Sequence, residues 1–199
     1  GVSGTHQSDV KNSMLLAQLA ANYAYDREHQ TEQWYGKYRE VLENIGWVLT
    51  AFQFARYESS GQTFSMDKVV LDVLKAIASG DEMDVMNKAI DALGKLPGDD
   101  RAVVLFDNNG SSSEGGNFQA GTCSEVPNCN VQMSIGTFYF KTSEHHTRFL
   151  FWSWGTKSVN MYTGSQSIML NEDVYSQVRQ QIIDKLGDKA QQYVADLPI

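Results

Sequence analysis

Hydrophobic positions recur every three or four residues in the first half of the chain and every second residue in much of the rest, so helices are expected before strands. Val10, Met14, Leu16, Leu19, Ala20 and Tyr23 form the stripe of a first helix ending near Glu28. Trp34, Tyr38, Val41, Leu42, Ile45, Val48, Leu49 and Phe52 predict a second, with Thr31 placed to cap its unpaired amides. Ser65 marks the start of a third, where Phe64 can staple onto Val69, and Val69, Val70, Val73, Leu74 and Ile77 supply its apolar face. Ser79-Gly80 breaks that helix and Asp81 caps a fourth. Met83, Met86, Ala89, Ile90 and Leu93 line it until Gly94 and Pro97 end it. Residues 66–93 thus read as a tight amphipathic hairpin of helices.

Beyond Asp99-Asp100 the period shortens. Ala102 to Phe106 is an unbroken apolar run, expected as a strand covered on both faces. Residues 107–130, rich in Gly and Ser, show no period and read as a long loop with a functional or mobile role. Val131, Met133, Ile135, Thr137 and Tyr139 alternate with more polar neighbours, as in a long strand. After the polar turn Ser143-Glu144-His145-His146, the stretch Arg148 to Trp154 predicts a central strand apolar on both faces. Val159 to Tyr162 and Ser167 to Leu170 predict a hairpin around Thr163-Gly164-Ser165. Asn171 caps a last main helix bearing Val174, Val178, Ile182 and Leu186; Gly187 stops it, and a short helix over about 189–196 follows.

This order predicts one α+β domain over residues 1–199, with a helical part at about 8–95 and the sheet and C-terminal helices at about 101–197. The N-terminal helices and the C-terminal helix are expected on both faces of a mainly antiparallel sheet of about four or five strands, a three-layer α/β/α arrangement. Phe149, Leu150, Phe151, Trp152 and Trp154 demand that cover, since each buried large side chain contributes roughly 1.5 to 3 kcal/mol.

Composition narrows the function. The 199 residues are 42% hydrophobic and 20% charged, enough for a packed core. Sixteen Lys and Arg against 24 Asp and Glu give a net charge of −8, and no basic run offsets it, so a nucleic-acid partner is not expected. The most apolar helical stretch, Ile45 to Ala55, falls short of the roughly 18 residues a membrane-spanning helix needs. No apolar stretch precedes Met14, so a targeting segment is expected to be absent or already removed. Cys123 and Cys129 are spaced for a small disulfide ring or for two half-buried thiols. With the Asn109-Gly110-Ser111 sequon they lean towards secretion.

Candidate chemistry is sparse. Glu144, His145 and His146 hold zinc-ligand types, but neighbours on an extended chain point to opposite sides, so a polar turn is the expectation. Two Ser-x-x-Lys matches, at Ser8 and Ser65, coincide with helix starts and read as caps. Cys123 lacks a positioned base, and the oxygen-rich run from Asp107 lacks a calcium loop's final Glu, with Phe118 in that place. There is no Walker loop, dinucleotide fingerprint, HExxH or nucleophile elbow. No catalytic residue, cofactor or metal ligand is therefore assigned.

Amphipathic helices over an aromatic-rich sheet, without an active-site motif, give the leading expectation. It is a non-enzymatic membrane-active protein of the cytolysin or insecticidal-toxin type, meeting lipid or a surface receptor and possible as a homo-oligomer there. Val69, Val73, Leu74 and Ile77 in the hairpin, with Trp152 and Trp154 as anchors, are the expected contact residues. The alternative is a partner- or ligand-binding module of immunity or effector-accessory type, using an acidic face and residues 107–130. An enzyme with a dispersed site is third; a pocket joining His145, His146 or Cys123 to a carboxylate would favour it.

Overall fold

A computed structural model describes residues 2–49, 54–127 and 130–195. Six helices pack with a mostly antiparallel sheet among these residues, an α+β fold. The helices are α1 (Gly4–Ala24), α2 (Thr31–Asn44), α3 (Met66–Lys75), α4 (Gly80–Lys95), α5 (Arg101–Gly110) and α6 (Glu172–Ala195). The strands are β1 (Trp47–Leu49), β2 (Ala55–Arg56), β3 (Thr63–Phe64), β4 (Ser111–Ser112), β5 (Gly115–Val126), β6 (Asn130–Thr142), β7 (Trp154–Gly155) and β8 (Val159–Leu170). The main sheet has the order β1-β8-β6-β5-β4 with β2 also on β8, while β3 and β7 form a separate pair.

Two compact units are recognisable. The first comprises residues 1–49, 124–132 and 168–199; the second comprises 50–123 and 133–167. In the first, α1 packs on α2 and α6 and buries a row of small and polar residues, Asp9, Ser13, Ala17 and Ala21. The Trp34 indole of α2 donates to Asn22 Oδ1 of α1 at 2.7 Å. Tyr23, expected in the buried stripe, is 95% exposed.

The second unit is built on aromatic packing. Phe118 stacks on Phe138 at 4.8 Å and Phe106 on Phe149 at 5.2 Å, while Trp154 is fully buried and donates its indole N–H to the Phe149 carbonyl at 3.0 Å. Met66, Val69, Val70 and Leu74 of α3 and Met86 and Ile90 of α4 close over these rings. Ladder pairing of Phe64 with Trp154 and the Asp67 N–H donating to Leu150 O at 2.9 Å tie the entry of α3 to this core.

Several expectations are corrected. The second helix ends at Asn44 rather than Phe52, because Gly46 turns the chain at φ 106 and Trp47–Leu49 pair with β8; residues 50–53 lie outside the described ones. A Cβ at Gly46 would sit 3.1 Å from the Tyr175 amide, so glycine is required there. Thr31 is the first helical residue rather than the cap, its hydroxyl donating to the Arg27 and Glu28 carbonyls. Ser79, not Asp81, caps α4.

Ala102 to Phe106 is helical. The Asp100 carboxylate accepts from the Ala102 amide and starts α5, and a five-residue apolar run carries no period to separate helix from buried strand. Residues 107–130, expected as a loop, hold the end of α5, β4 and β5; glycines at inward positions hide the alternation because the Phe140 ring fills the place of a side chain at Gly116. Arg148 to Trp152 is a turn rather than a strand, with Arg148 at φ 51, and the run Phe149 to Trp152 is apolar on all sides because the turn plugs the core. The expected hairpin at 159–170 is one strand, β8, in which the Gly164 carbonyl accepts from the Thr137 hydroxyl at 3.2 Å. Gly187 has open space around it and α6 passes through to Ala195, because an exposed helical glycine costs about 1 kcal/mol and does not break a helix.

Candidate functional site

The helical hairpin forms as expected. Ser79 accepts from the Glu82 amide and the Glu82 carboxylate accepts from the Ser79 amide at 2.7 Å, a reciprocal cap that fixes where α4 leaves the link from α3. Val69 and Leu74 are fully buried, and Val73 and Ile77 are half-buried. Trp154 is fully buried and Trp152 half-buried in the same core. All six expected contact residues thus meet in one cluster of the second unit, where they are cover and core rather than surface. Val85 on α4 faces outward and is 62% exposed.

A cleft of about 470 Å³ opens in the same unit between the end of α5, the Ser111 to Ser113 turn and residues 145–148. It brings His145 and His146 to one place with Asp107, a carboxylate hidden in the sequence by its position inside an apparent loop. Asp107 accepts hydrogen bonds from the backbone amides of Arg148 and Phe149. Its pKa is nevertheless raised, because burial outweighs those bonds and the nearby positive charge of Arg148. The same bonds hold Arg148 in its left-handed conformation. The Arg148 guanidinium donates to the Leu93 and Gly94 carbonyls at 3.1 and 3.3 Å, closing the C-terminus of α4, and lies over the Phe151 ring.

The first unit holds a charge cluster that the sequence did not disclose. His6 stands 3.2 Å from Glu125 and 3.8 Å from Glu172, and the ligand atoms of His6, Asp9 and Glu172 lie within 4.8 Å of one another. Those residue types suit a metal, but Arg179 occupies both Asp9 oxygens at 2.9 Å and reaches Glu172 at 2.6 Å. The guanidinium already supplies the positive charge, so the donor set is an ion-pair network and does not fit a cation.

The remaining candidates have structural roles. Burial, then the negative charge of Glu82, push the Cys123 thiol up, against the thiolate a nucleophile needs; Cys129 lies outside the described residues. Ser8, expected as a cap, lies inside α1 with its hydroxyl donating to the Gly4 carbonyl, and Ser65 stands at the N-cap position of α3 without a side-chain capping bond. Asn109 of the sequon donates to Leu105 O within α5. The Asp107 run is helical and forms no calcium loop.

No family model and no curated protein matches the sequence. Among solved structures, a delta-endotoxin is similar to this chain with a TM-score of 0.51 at 11% identity, covering 85% of this chain and 78% of that one. The activated Cyt2Ba monomer from Bacillus thuringiensis subsp. israelensis gives a TM-score of 0.49 at 9% identity, covering 85% and 94%. The first of these likenesses shows the fold: this chain shares the α+β architecture of a delta-endotoxin.

Proposed function

We propose that this is a membrane-active protein, soluble with its helical hairpin closed and able to bind and permeabilise a bilayer once the hairpin is released. The carrying observation is the α3–α4 pair, whose whole apolar face rests on the aromatic core of the second unit. The fold shared with a delta-endotoxin supports this reading, while the cleft that joins His145 and His146 to Asp107 is the feature the dispersed-site enzyme alternative called for.

The physics of release follows from burial. Uncovering Val69, Val73, Leu74 and Ile77 forfeits several kcal/mol, at roughly 1.5 to 3 kcal/mol for each fully buried side chain, and a bilayer interface returns that energy only if the same face lies on lipid. Helix α3, ten residues, is about 15 Å long and α4, sixteen, about 24 Å. Among the described residues no helix is long and apolar enough to cross a membrane, which favours a hairpin lying in the interface. A net charge of −8 favours a neutral, sterol or receptor-bearing surface over an anionic leaflet, with assembly into a homo-oligomer there.

The test is dye release from neutral, sterol-containing and anionic liposomes, with sedimentation of the same samples to score binding apart from leakage. Leakage with co-sedimentation from neutral or sterol-containing vesicles is expected. Absence of both binding and leakage at every composition overturns the reading.

A further inference from the structure

The cleft beside α5 is a site of a different kind. We infer that it binds a neutral, hydroxyl-bearing ligand, the terminal saccharide of a glycan, and holds it without cleaving it. This inference does not depend on the membrane reading.

The cleft's size, about 470 Å³, lies within the roughly 300 to 1,000 Å³ range of small-ligand pockets. Its chemistry is mixed. The Asn108 amide, the Ser113 hydroxyl and the imidazoles of His145 and His146 offer both donors and acceptors, the complement that vicinal sugar hydroxyls need. An anion fits poorly, because the Asp107 carboxylate forms part of the wall and the Arg148 Nη2 is spent on the carbonyls at the end of α4. A hydroxyl, by contrast, donates to a carboxylate. A metal fits no better: among the described residues the only group of possible ligands close enough to share an ion is His6, Asp9 and Glu172, in the other unit.

The wall is also preorganised. The Ser111 hydroxyl donates to the Asp107 carbonyl at 3.1 Å, and the Asp107 carboxylate holds the 148–149 amides. Arg148 is the only non-glycine residue at positive φ among the described ones, the kind of local strain that gathers at ligand clamps. Among the described residues Asp107 is the single carboxylate lining the cleft, whereas glycoside hydrolysis generally needs an acid and a second carboxylate across the bond. The site therefore recognises and does not hydrolyse.

The experiment follows the histidine and amide NMR signals of the full chain, without lipid, as glucose, galactose, mannose, N-acetylglucosamine or inorganic phosphate is added. At least one sugar is expected to shift the His145 and His146 signals saturably in the millimolar range. His145→Ala and Asn108→Ala, both at exposed positions, should each weaken that sugar by about tenfold, and Lys88→Ala should not. Saturation by phosphate alone, no saturable shift with any sugar, or shifts that survive both variants would overturn the site. Neutral vesicles with and without galactosylceramide, competed by the free sugar, separate a lipid-borne glycan from a free one. Because the NMR arm contains no membrane, its failure is distinct from failure of the liposome test.

Discussion

Arg179 grips Asp9 with a two-point fork, Nε to Oδ1 and Nη2 to Oδ2 both at 2.9 Å, across 170 residues of chain. Asp9 is only 2% exposed, so this fork joins α6 to α1 around a buried charge. Removing the cation should be expensive. Arg179→Ala is expected to cost roughly 3 kcal/mol or more in urea unfolding, since a lone buried carboxylate loses its compensation. Arg179→Lys should recover only part of that, because an ammonium cannot reproduce the planar fork.

Glu125 gives the first unit an acid-sensitive fastening. The Ser3 amide, and after it His6, hold its carboxyl down at about 2 from an ordinary 4.5. The folded value lies below the unfolded one, so the contribution is complete above pH 4.5 and is lost as pH falls towards 2. Hydrogen exchange at the start of α1 should therefore speed up across that window. In Glu125→Gln the acid-dependent step should disappear.

Two glycines should respond in opposite directions. A Cβ at Gly115 would collide with the Phe140 carbonyl and stand 3.1 Å from the Lys141 Cα, both backbone atoms that cannot swing aside. Gly115→Ala is expected to cost at least about 2 kcal/mol. Gly187 has nothing within 4 Å, and Gly187→Ala should stabilise α6 by about 0.5 to 1 kcal/mol. Thermal or urea unfolding of the two variants side by side checks the pair.

The hairpin reading is tested most cleanly on its outer face. Val85 is exposed, so Val85→Asp should change stability by no more than about 0.5 kcal/mol. Because the reading lays the buried face of the hairpin on lipid and leaves Val85 on the water side, the same substitution should leave dye release unchanged. A rate slower by about tenfold in the folded variant would assign lipid contact to the outer face of α4 instead. Val73→Asp should abolish release, but it also puts a charge into the cover layer and needs a folded-state control.

Helices α3 and α4 were legible in the sequence because a 3.6-residue period, Ser79-Gly80 and the run from Gly94 to Pro97 all agree locally. The long strand β6 was legible by its alternation. Val69, Val73, Leu74, Ile77, Trp152 and Trp154 share one apolar cluster, since burial follows hydrophobicity. Where no period exists, local reasoning had nothing to measure. The run Ala102 to Phe106 is helical because Asp100 caps it, and Arg148 to Trp152 turns because the Asp107 carboxylate, some forty residues earlier, takes the amides of Arg148 and Phe149.

By itself the sequence determined the α+β class, the amphipathic hairpin, the acidic charge and the absence of common catalytic motifs, all of which are sums over neighbouring residues. Only the tertiary structure decided that Asp107 meets His145 and His146 in a cleft, and that Asp9 meets Arg179. The reason is physical: period, propensity and capping act within a few residues, whereas hydrogen bonds and ion pairs act at about 3 Å in space whatever the separation along the chain.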